Sequence, residues 1–460
     1  MNENMEGKAG GSYVYLISLV AAVGGFLFGY DLSLISGAII FMEKPFQLNP
    51  VTKGLAVSSA YLGSIAGPIL GLWMADAFGR KKSLVFASIC YMISAIGSAV
   101  APDMLQFVIW RMLGGVGVGL STVISPMYIA EISPAKLRGR LVTVNQLSIV
   151  LGINLAVIVC YLLSFGGHWR WMFASEAFPI LFLMVGLYFV PGSPRWLAEK
   201  NHQPEALKIL TRINGRIQAE KELREINEEL AQETGHFLEL FRPGLRRALL
   251  IGIVLLVFSQ INGVNMMIMY APTILLEAGI GSESHAILNA VYINLWIFIT
   301  TVIAFGLIDR FGRRPILLAG VTGMALAHIF MGLSFYYKMS SFFVLLAMFA
   351  GTGSFTLTLA PLSWVILAEI FPNRIRGKAM SLVGLFFWVS AYCCAQFFPM
   401  LTDWFFRLFQ TQAGAYGVYA GICLSCVLFI WKMLPETKDL SLEEIGRFWL
   451  EYQKRKSRGV

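Results

Sequence analysis

The chain has 460 residues, of which 57% are hydrophobic and only 14% are charged. Soluble globular proteins carry about 25% charged residues, so this composition excludes an ordinary soluble domain. The net charge of +9 does not indicate nucleic-acid binding, because no basic tract is interleaved with aromatic residues. In a membrane protein an excess of positive charge indicates lysine and arginine residues in the cytoplasmic connections.

Twelve runs of apolar residues are long enough to cross a bilayer as helices, which needs roughly 20 residues each. They predict an all-α transmembrane fold. The predicted spans are 13–41, 54–75, 83–101, 104–129, 141–164, 170–190, 247–276, 286–308, 315–338, 342–371, 379–403 and 414–434.

The first span contains a carboxylate, Asp31, within the stretch GGFLFGYDLSLISG. A charge at mid-bilayer costs about 2.5–3.5 kcal/mol on insertion scales, so the acid needs either a buried partner or a wet path for a proton. Arg111, near the start of the fourth span, is the natural counter-charge. Phe28 lies three residues before Asp31 and shares its helix face.

Two motifs in the connections between spans occur once in each half of the chain, which indicates an internal repeat. GLWMADAFGRKK (Gly71–Lys82) recurs as GLIDRFGRRP (Gly306–Pro315). AEISPAKLRGR (Ala130–Arg140) recurs as AEIFPNRIRGK (Ala368–Lys378). Each motif follows an even-numbered span and is basic, so the positive-inside rule predicts that these connections and both termini are cytoplasmic.

The connection Pro191–Arg247 differs from the others because it is long, carries charges of both signs and has a helical pattern. We interpret it as a solvated linker between two halves. The predicted organisation is an N-terminal six-helix bundle (1–190), a cytoplasmic helical linker (191–246), a C-terminal six-helix bundle (247–434) and a cytoplasmic tail (435–460).

Neither cysteine nor histidine forms a convincing metal or catalytic pattern. Cys423 and Cys426 have metal-ligand spacing, but no second pair or histidine stands near them in the sequence. His168, His285 and His328 are isolated, which favours structural roles. We therefore expect no metal, no cofactor and no enzymatic activity.

Taken together, these motifs resemble the sugar porter family of the major facilitator superfamily. The resemblance covers essentially the whole chain and rests on FLFGYD, DAFGRKK, RMLGGVGVGLSTVISPMYIAEISPAKLRGR, PGSPRWL, INGVN, DRFGRRP, WVILAEIFPNRIRGKA and LPETK. It implies two six-helix bundles that work by alternating access. It also implies that Asp31 and Arg111 are a proton-coupling pair. The alternative for this pair is a permanent ion pair that only fixes the helices.

The resemblance also assigns residues to a sugar site and to a gate. Neutral amides suit paired hydroxyl groups, and aromatic faces suit the C–H side of a sugar. Tyr270 is the expected gate, and the helix-weakening pair Asn262-Gly263 would let the outer half of its helix bend. The expected substrate-binding residues are Phe28, Gln146, Ser259, Gln260, Asn265, Trp364 and Trp388.

The paired charges of the cytoplasmic motifs predict a latch, which would bridge the two bundles in the state that is closed to the cytoplasm. Partly exposed pairs are worth about 0–1 kcal/mol each, which suits a reversible contact. Plain positive-inside anchoring is the alternative, although anchoring needs no carboxylate. The expected latch residues are Asp76, Arg80, Glu131, Arg138, Asp309, Arg313, Glu369 and Arg376.

Several positions depart from the family pattern. Ala77 and Gly192 stand where basic and acidic residues are usual, so one cytoplasmic ion pair is expected to be missing. Ser259, Ile297 and Phe387 replace amides, which leaves the identity of the sugar open. Asn294 lies one turn from Ile297 and is a candidate substitute.

These observations predict a proton-coupled symporter that imports a monosaccharide across the cell membrane as a multi-pass monomer. A facilitative uniporter is the first alternative. A non-transporting sugar receptor is the second, although receptors of that type carry a long cytoplasmic tail and the tail here is short. The expected partners are the sugar, the proton and the lipid bilayer.

Overall fold

The computed structural model describes residues 3–134, 137–231, 237–242, 245–371, 373–434 and 436. Within that part of the chain, positions 3–12, 231, 308–311, 373 and 374 are described by their backbone alone.

All regular structure in these described ranges is helical. The α-helices are α1 (Glu3–Met42), α2 (Pro50–Ser64), α3 (Gly67–Phe78), α4 (Arg80–Val100), α5 (Met104–Ile132), α6 (Arg138–Ser164), α7 (Trp169–Ala174), α8 (Ala177–Phe189), α9 (Pro194–Glu199), α10 (Gln203–Asn214), α11 (Arg216–Ala231), α12 (Leu245–Ile261), α13 (Val264–Met269), α14 (Ala271–Glu277), α15 (Glu283–Phe311), α16 (Arg313–Tyr336), α17 (Ser341–Leu357), α18 (Leu359–Ile370), α19 (Asn373–Phe409) and α20 (Ala413–Met433). A short 3-10 helix spans Phe237–Phe241.

Twelve stretches of the described chain are long and apolar enough to cross a membrane, which confirms the predicted number of spans. Numbered in chain order, spans 1 to 12 are Tyr13–Met42, Pro50–Phe78, Arg80–Val100, Met104–Ile132, Arg138–Ser164, Trp169–Phe189, Leu245–Met269, Glu283–Leu307, Arg313–Tyr336, Ser341–Ile370, Ile375–Phe409 and Ala413–Met433.

Four of the spans consist of two helices with a break between them. Span 7 breaks between α12 and α13 at Asn262 and Gly263, as the sequence predicts, and Gly263 adopts a left-handed φ of +85°. Span 2 breaks between α2 and α3, span 6 between α7 and α8, and span 10 at Thr358. These other breaks were not predicted.

The chain folds into two compact units. The first comprises the described residues of Met1–Leu34, Leu62–Val159 and Arg170–Glu233. The second comprises those of Ile35–Tyr61, Cys160–Trp169 and Thr234–Val460. The division at residues 190, 246 and 434 stays a prediction from the sequence.

Small residues let the helices of the first unit approach closely, as in many membrane proteins. A Cβ added at Gly67 of α3 would lie 2.2 Å from the Cα of Gly119 in α5. A Cβ at Gly63 of α2 would lie 1.9 Å from the carbonyl oxygen of Met112. The glycines of span 4 therefore provide a smooth face on which span 2 packs.

The linker is helical, as predicted, and folds as three short helices, α9 to α11, in the first unit. Leu197, Ala198 and Ala206 form their small buried core. The guanidinium of Arg212 in α10 lies 3.9 Å from the ring centroid of Tyr13, so the linker contacts the start of span 1 by a cation–π interaction.

Candidate functional site

The Asp31 carboxylate and the Arg111 guanidinium form a fully buried ion pair in the first unit. Nη1 of Arg111 donates to Oδ1 of Asp31 at 2.5 Å, and Nη2 donates to the Asp31 backbone carbonyl at 3.2 Å. Their side chains are only 0% and 1% exposed. The pair is not bidentate, since Oδ2 of Asp31 accepts no hydrogen bond from Arg111, whose Nε atom has no partner among the described residues.

A second acid, Glu176, lies beside this pair and was missed in the sequence. It is 1% exposed and sits at the break between α7 and α8. Its strongest electrostatic neighbours are Asp31 and Arg111. Neither carboxylate oxygen meets a hydrogen-bond donor with good geometry in the described part of the structure. The sequence did contain a signal for this residue, because Glu176 is the acid inside the predicted sixth span.

The cluster of Asp31, Arg111 and Glu176, which we call the acid cluster, holds two carboxyl groups and one guanidinium. If both acids were ionised, a net charge of −1 would be buried without compensation, which costs several kcal/mol. With one proton bound, the charges of the cluster cancel. The cluster therefore contains one more acid than its single base can neutralise.

Hydroxyl groups from neighbouring spans surround the acid cluster. Tyr30, one residue before Asp31, hydrogen-bonds Ser175, one residue before Glu176, at 2.8 Å. Tyr91 of α4 hydrogen-bonds Ser121 of α5 at the same distance. Because these bonds join spans 1 and 6 and spans 3 and 4, they fix the helices that carry the charges.

In the second unit, the break of span 7 brings three predicted sugar-binding residues together. Nδ2 of Asn265 donates to Oε1 of Gln260 at 3.1 Å and to the Ser259 carbonyl at 3.3 Å. Nε2 of Gln260 reaches Oγ of Ser259 at 3.4 Å. The amides are therefore held by one another and keep free lone pairs and N–H groups for a ligand.

Three aromatic side chains of spans 10 and 11 form a contiguous row in the same unit. The ring centroids of Trp364 and Phe387 lie 5.4 Å apart, and those of Phe387 and Trp388 lie 5.2 Å apart. Tyr61 extends the row with a centroid 6.2 Å from that of Trp388. Trp388 is only 2% exposed, whereas Trp364 is partly accessible. A row of this kind can offer a face to the C–H groups of a sugar.

Two further predicted residues, Phe28 and Gln146, lie in the first unit. Phe28 is partly buried on α1, and Gln146 is exposed on α6. In the second unit, Asn294 is buried, and its Nδ2 donates to the Ala290 carbonyl of its own helix at 2.8 Å. Its Oδ1 atom meets no donor within the described chain.

Tyr270, the expected gate residue, ties span 7 to span 11. Its hydroxyl donates to the Ala395 carbonyl at 2.8 Å, and its ring stacks on Phe398 with centroids 4.9 Å apart. The residue that follows Ala395, Gln396, accepts a hydrogen bond from Ser58 at 2.9 Å and donates to the Val51 carbonyl at 3.0 Å. All these residues belong to the second unit, in which these contacts connect spans 2, 7 and 11.

The latch residues pair across the two repeated motifs of each half. Arg80 binds Glu131 at 2.8 Å in the first unit, and Arg313 binds Glu369 at 3.0 Å in the second. The neighbouring Asp76 is 66% exposed and 3.9 Å from Arg80, a much weaker contact. Each strong pair thus lies within one unit, and the bridging role stays a prediction.

Three other latch residues have separate environments. Arg138 is exposed and lines a cavity of about 680 Å³ beside the linker helices. Arg376 donates to the Phe371 carbonyl at 3.3 Å. The side chain of Asp309 lies outside the described residues.

Glu436, in the segment after span 12, caps the first turn of α16. Its two carboxylate oxygens accept from the backbone N–H groups of Arg313 and Arg314, at 3.0 and 3.1 Å. A carboxylate at a helix N-terminus satisfies amides that lack an intrahelical partner and is favoured by the helix dipole. The side chain of Arg313 meanwhile binds Glu369, so both motifs of this half meet Glu436 here.

In the linker, Glu222 lines the same cavity as Arg138. Burial raises the pKa of the Glu222 carboxyl, although a hydrogen bond from Asn214 and the charge of Arg138 oppose the shift. The Asn214 bond is 2.6 Å long. The described residues contain no group of three or more side chains suited to hold a metal ion.

Comparison with known proteins places the chain in a transporter family. Residues 17–449 match the family described as "Sugar (and other) transporter". The chain therefore belongs to this family of membrane transporters, which confirms the resemblance and makes the protein a transporter and not an enzyme.

Individual relatives match along nearly their whole length. The arabinose-proton symporter of Bacillus subtilis (strain 168) is 38% identical over 449 residues, covering 95% of this chain and 96% of that protein. The D-xylose-proton symporter of Escherichia coli (strain K12) is 36% identical, with coverage of 95% and 96%. A structure of the E. coli xylose transporter XylE in a partially occluded inward-open conformation has a TM-score of 0.83, with 34% identity and coverage of 94% and 100%. The twelve-helix major facilitator fold is thereby confirmed.

Proposed function

We propose that the protein is a proton-coupled symporter that imports a monosaccharide through a cell membrane by alternating access. The arabinose- and xylose-proton symporters support this proposal by similarity along their full length. The single observation that carries it is the acid cluster, because a fixed ion pair needs one acid and this cluster contains two.

The acid cluster couples the proton to transport by charge balance. With the proton bound, Asp31, Glu176 and Arg111 are neutral together and remain buried at little cost. After the proton leaves, the extra negative charge favours a state in which water reaches the cluster. A membrane potential of about 100 mV is worth roughly 2.3 kcal/mol per charge, enough for about fifty-fold sugar accumulation.

The sugar is bound in part by residues of the second unit. Gln260 and Asn265 offer amides to hydroxyl groups, Ser259 supports them, and the row from Trp364 to Trp388 offers aromatic faces. Phe28 and Gln146 of the first unit are proposed as further ligands, on the resemblance alone. Tyr270 acts as a gate, since its hydroxyl ties span 7 to span 11 by one breakable hydrogen bond.

The orientation follows from the basic residues after even-numbered spans, which favour a cytoplasmic position for those connections and for both termini. The monomer is the proposed working form. The paired charges of the repeated motifs would stabilise the state that is closed to the cytoplasm.

The test uses the purified protein in liposomes with an inward proton gradient, and L-arabinose and D-xylose as probes. Wild-type protein is expected to concentrate at least one of these sugars. Asp31→Asn is expected to lose accumulation but to retain exchange between equal sugar pools. The matched control is Asp403→Asn, which alters a partly exposed aspartate bound to Arg407 at 2.8 Å.

Three outcomes separate the hypotheses. A wild type that equilibrates sugar without concentrating it identifies a uniporter. A wild type that binds sugar but moves none identifies a receptor. Accumulation that survives in Asp31→Asn would overturn the coupling role of the acid cluster.

A further inference from the structure

The break in span 7 leaves one backbone carbonyl without its helical partner. Helix α12 ends at Ile261 and α13 begins at Val264. The amide of Met266, which would bond the Asn262 carbonyl in a continuous helix, instead bonds the Gly263 carbonyl at 3.1 Å. The Asn262 carbonyl accepts from the Nε2 atom of His328 in span 9, at 2.7 Å, and more weakly from the Sγ atom of Cys423 in span 12, at 3.6 Å.

His328 is held rigidly in this position. It is completely buried, and its ring stacks between Tyr416 and Tyr419 of α20, with centroid distances of 6.4 and 5.5 Å. Donation to a carbonyl requires the tautomer with the proton on Nε2. The Nδ1 atom has no partner among the described residues, so the bond to Asn262 is the ring's only polar contact there.

The backbone at the break fits closely against this ring. Gly263 has a φ of +85°, and a Cβ at this position would lie 2.5 Å from the Tyr419 ring and 2.9 Å from Cε1 of His328. Glycine is therefore required both by the conformation and by the lack of space. The break and the histidine form one packed joint.

The same joint determines where the sugar-binding amides point. The Asn262 side chain accepts from the Val264 amide at 2.8 Å and donates to the Ser259 carbonyl at 2.7 Å. Gln260 lies before the break and Asn265 after it, and the two side chains hydrogen-bond each other. A change in the angle between α12 and α13 would separate them.

We propose that His328 is a positioning residue that holds the break of span 7 in the geometry that binds sugar. It touches no substrate and acts through the Asn262 carbonyl. The inference rests on the proposed function, because it assigns the support of the same amides. Without the bond, only a fraction of the molecules has the binding geometry, and the apparent affinity falls by that fraction.

The experiment compares four proteins by equilibrium sugar binding and by hydrogen exchange of the span 7 backbone. His328→Phe keeps a ring between the tyrosines but removes the donor. His328→Gln restores an N–H group at similar reach. Tyr416→Phe is the matched control, because it alters the same stack at a hydroxyl that has no partner among the described residues.

We expect His328→Phe to bind the probe sugar about tenfold more weakly and to exchange faster at 262–267. His328→Gln is expected to recover most of the affinity, and Tyr416→Phe to match the wild type. The proton-to-sugar ratio is expected to stay unchanged in all four proteins. If His328→Phe does not fold, His328→Asn replaces it in the comparison with His328→Gln. The asparagine amide is too short to reach the Asn262 carbonyl.

Two results would overturn the inference. One is a folded His328→Phe protein, or His328→Asn in its place, with wild-type affinity and exchange. The other is a glutamine variant as weak as the phenylalanine variant. A wild type that binds no sugar in a panel of pentoses, hexoses, deoxysugars and cyclitols would instead count against the proposed function, so the two failures are distinguishable.

Discussion

Replacing Asp31 by asparagine and Glu176 by glutamine, singly and together, tests whether both acids share Arg111. Each single variant still leaves one carboxylate for the buried guanidinium, so each is expected to lose about 1 kcal/mol of stability through altered hydrogen bonds. The double variant leaves Arg111 buried and unpaired. Its expected loss is about 3–5 kcal/mol, the usual cost of breaking a buried ion pair.

The double-mutant cycle is measured by unfolding in detergent micelles near pH 7, followed by tryptophan fluorescence. The expected excess of the double variant over the sum of the singles is about 1–3 kcal/mol. Asp403→Asn serves as the control for loss of a partly exposed ion pair and should cost about 1 kcal/mol or less. Additivity within about 0.5 kcal/mol would show that Glu176 does not compensate Arg111, which would refute the charge-balance mechanism.

Three further predictions follow from packing, ionisation and the gate. Gly67→Ala is expected to lower the melting temperature, because its Cβ would lie 2.2 Å from Gly119 and overpacking costs typically about 1–3 kcal/mol. Glu222→Gln is expected to be more stable than wild type at neutral pH. Because the pKa of Glu222 is raised in the folded protein, its ionisation destabilises the fold as the pH rises above the ordinary pKa of a glutamate. In acid, where the carboxyl is protonated, the difference in stability between Glu222→Gln and the wild type should vanish. Tyr270→Phe removes the bond to the Ala395 carbonyl and is expected to speed sugar exchange, measured with equal pools.

Each of these predictions has its own control. Gly139→Ala adds a methyl group where no atom lies within 4 Å, so equal destabilisation there would contradict the packing argument. Glu220→Gln alters the neighbouring exposed pair with Arg216, and its unfolding curve should show no comparable gain at neutral pH. For the gate, an unchanged exchange rate in Tyr270→Phe would mean that this bond does not limit opening.

Features that depend on local sequence were predictable. The twelve spans, the helical linker and the break at Asn262-Gly263 follow from apolar run length, charge and glycine, and the structure contains all of them. The breaks at Thr358 and between α2 and α3 were not predicted, although the pair Gly67-Pro68 directly follows one of them and Pro361 stands three residues after the other.

Features that depend on pairing across the chain were predictable only in part. The Asp31–Arg111 pair was found because an acid and a base inside separate spans need each other. Glu176 was overlooked, and only the fold brings position 176 beside position 31. The charged residues of the cytoplasmic motifs were predicted to form a latch, but the sequence did not show which of them pair. The structure gives Arg80 a closer contact with Glu131 in another helix than with Asp76.

The carboxylate of Glu436 has a practical consequence for engineering this transporter. Since it covers the first-turn amides of α16, a deletion that ends before position 436 would expose those amides and loosen the Arg313 motif. Reporter fusions and shortened versions should therefore retain this residue, even though it stands after the last membrane helix. A truncation series around it would tell the experimenter how much of the C-terminal segment the folded protein requires.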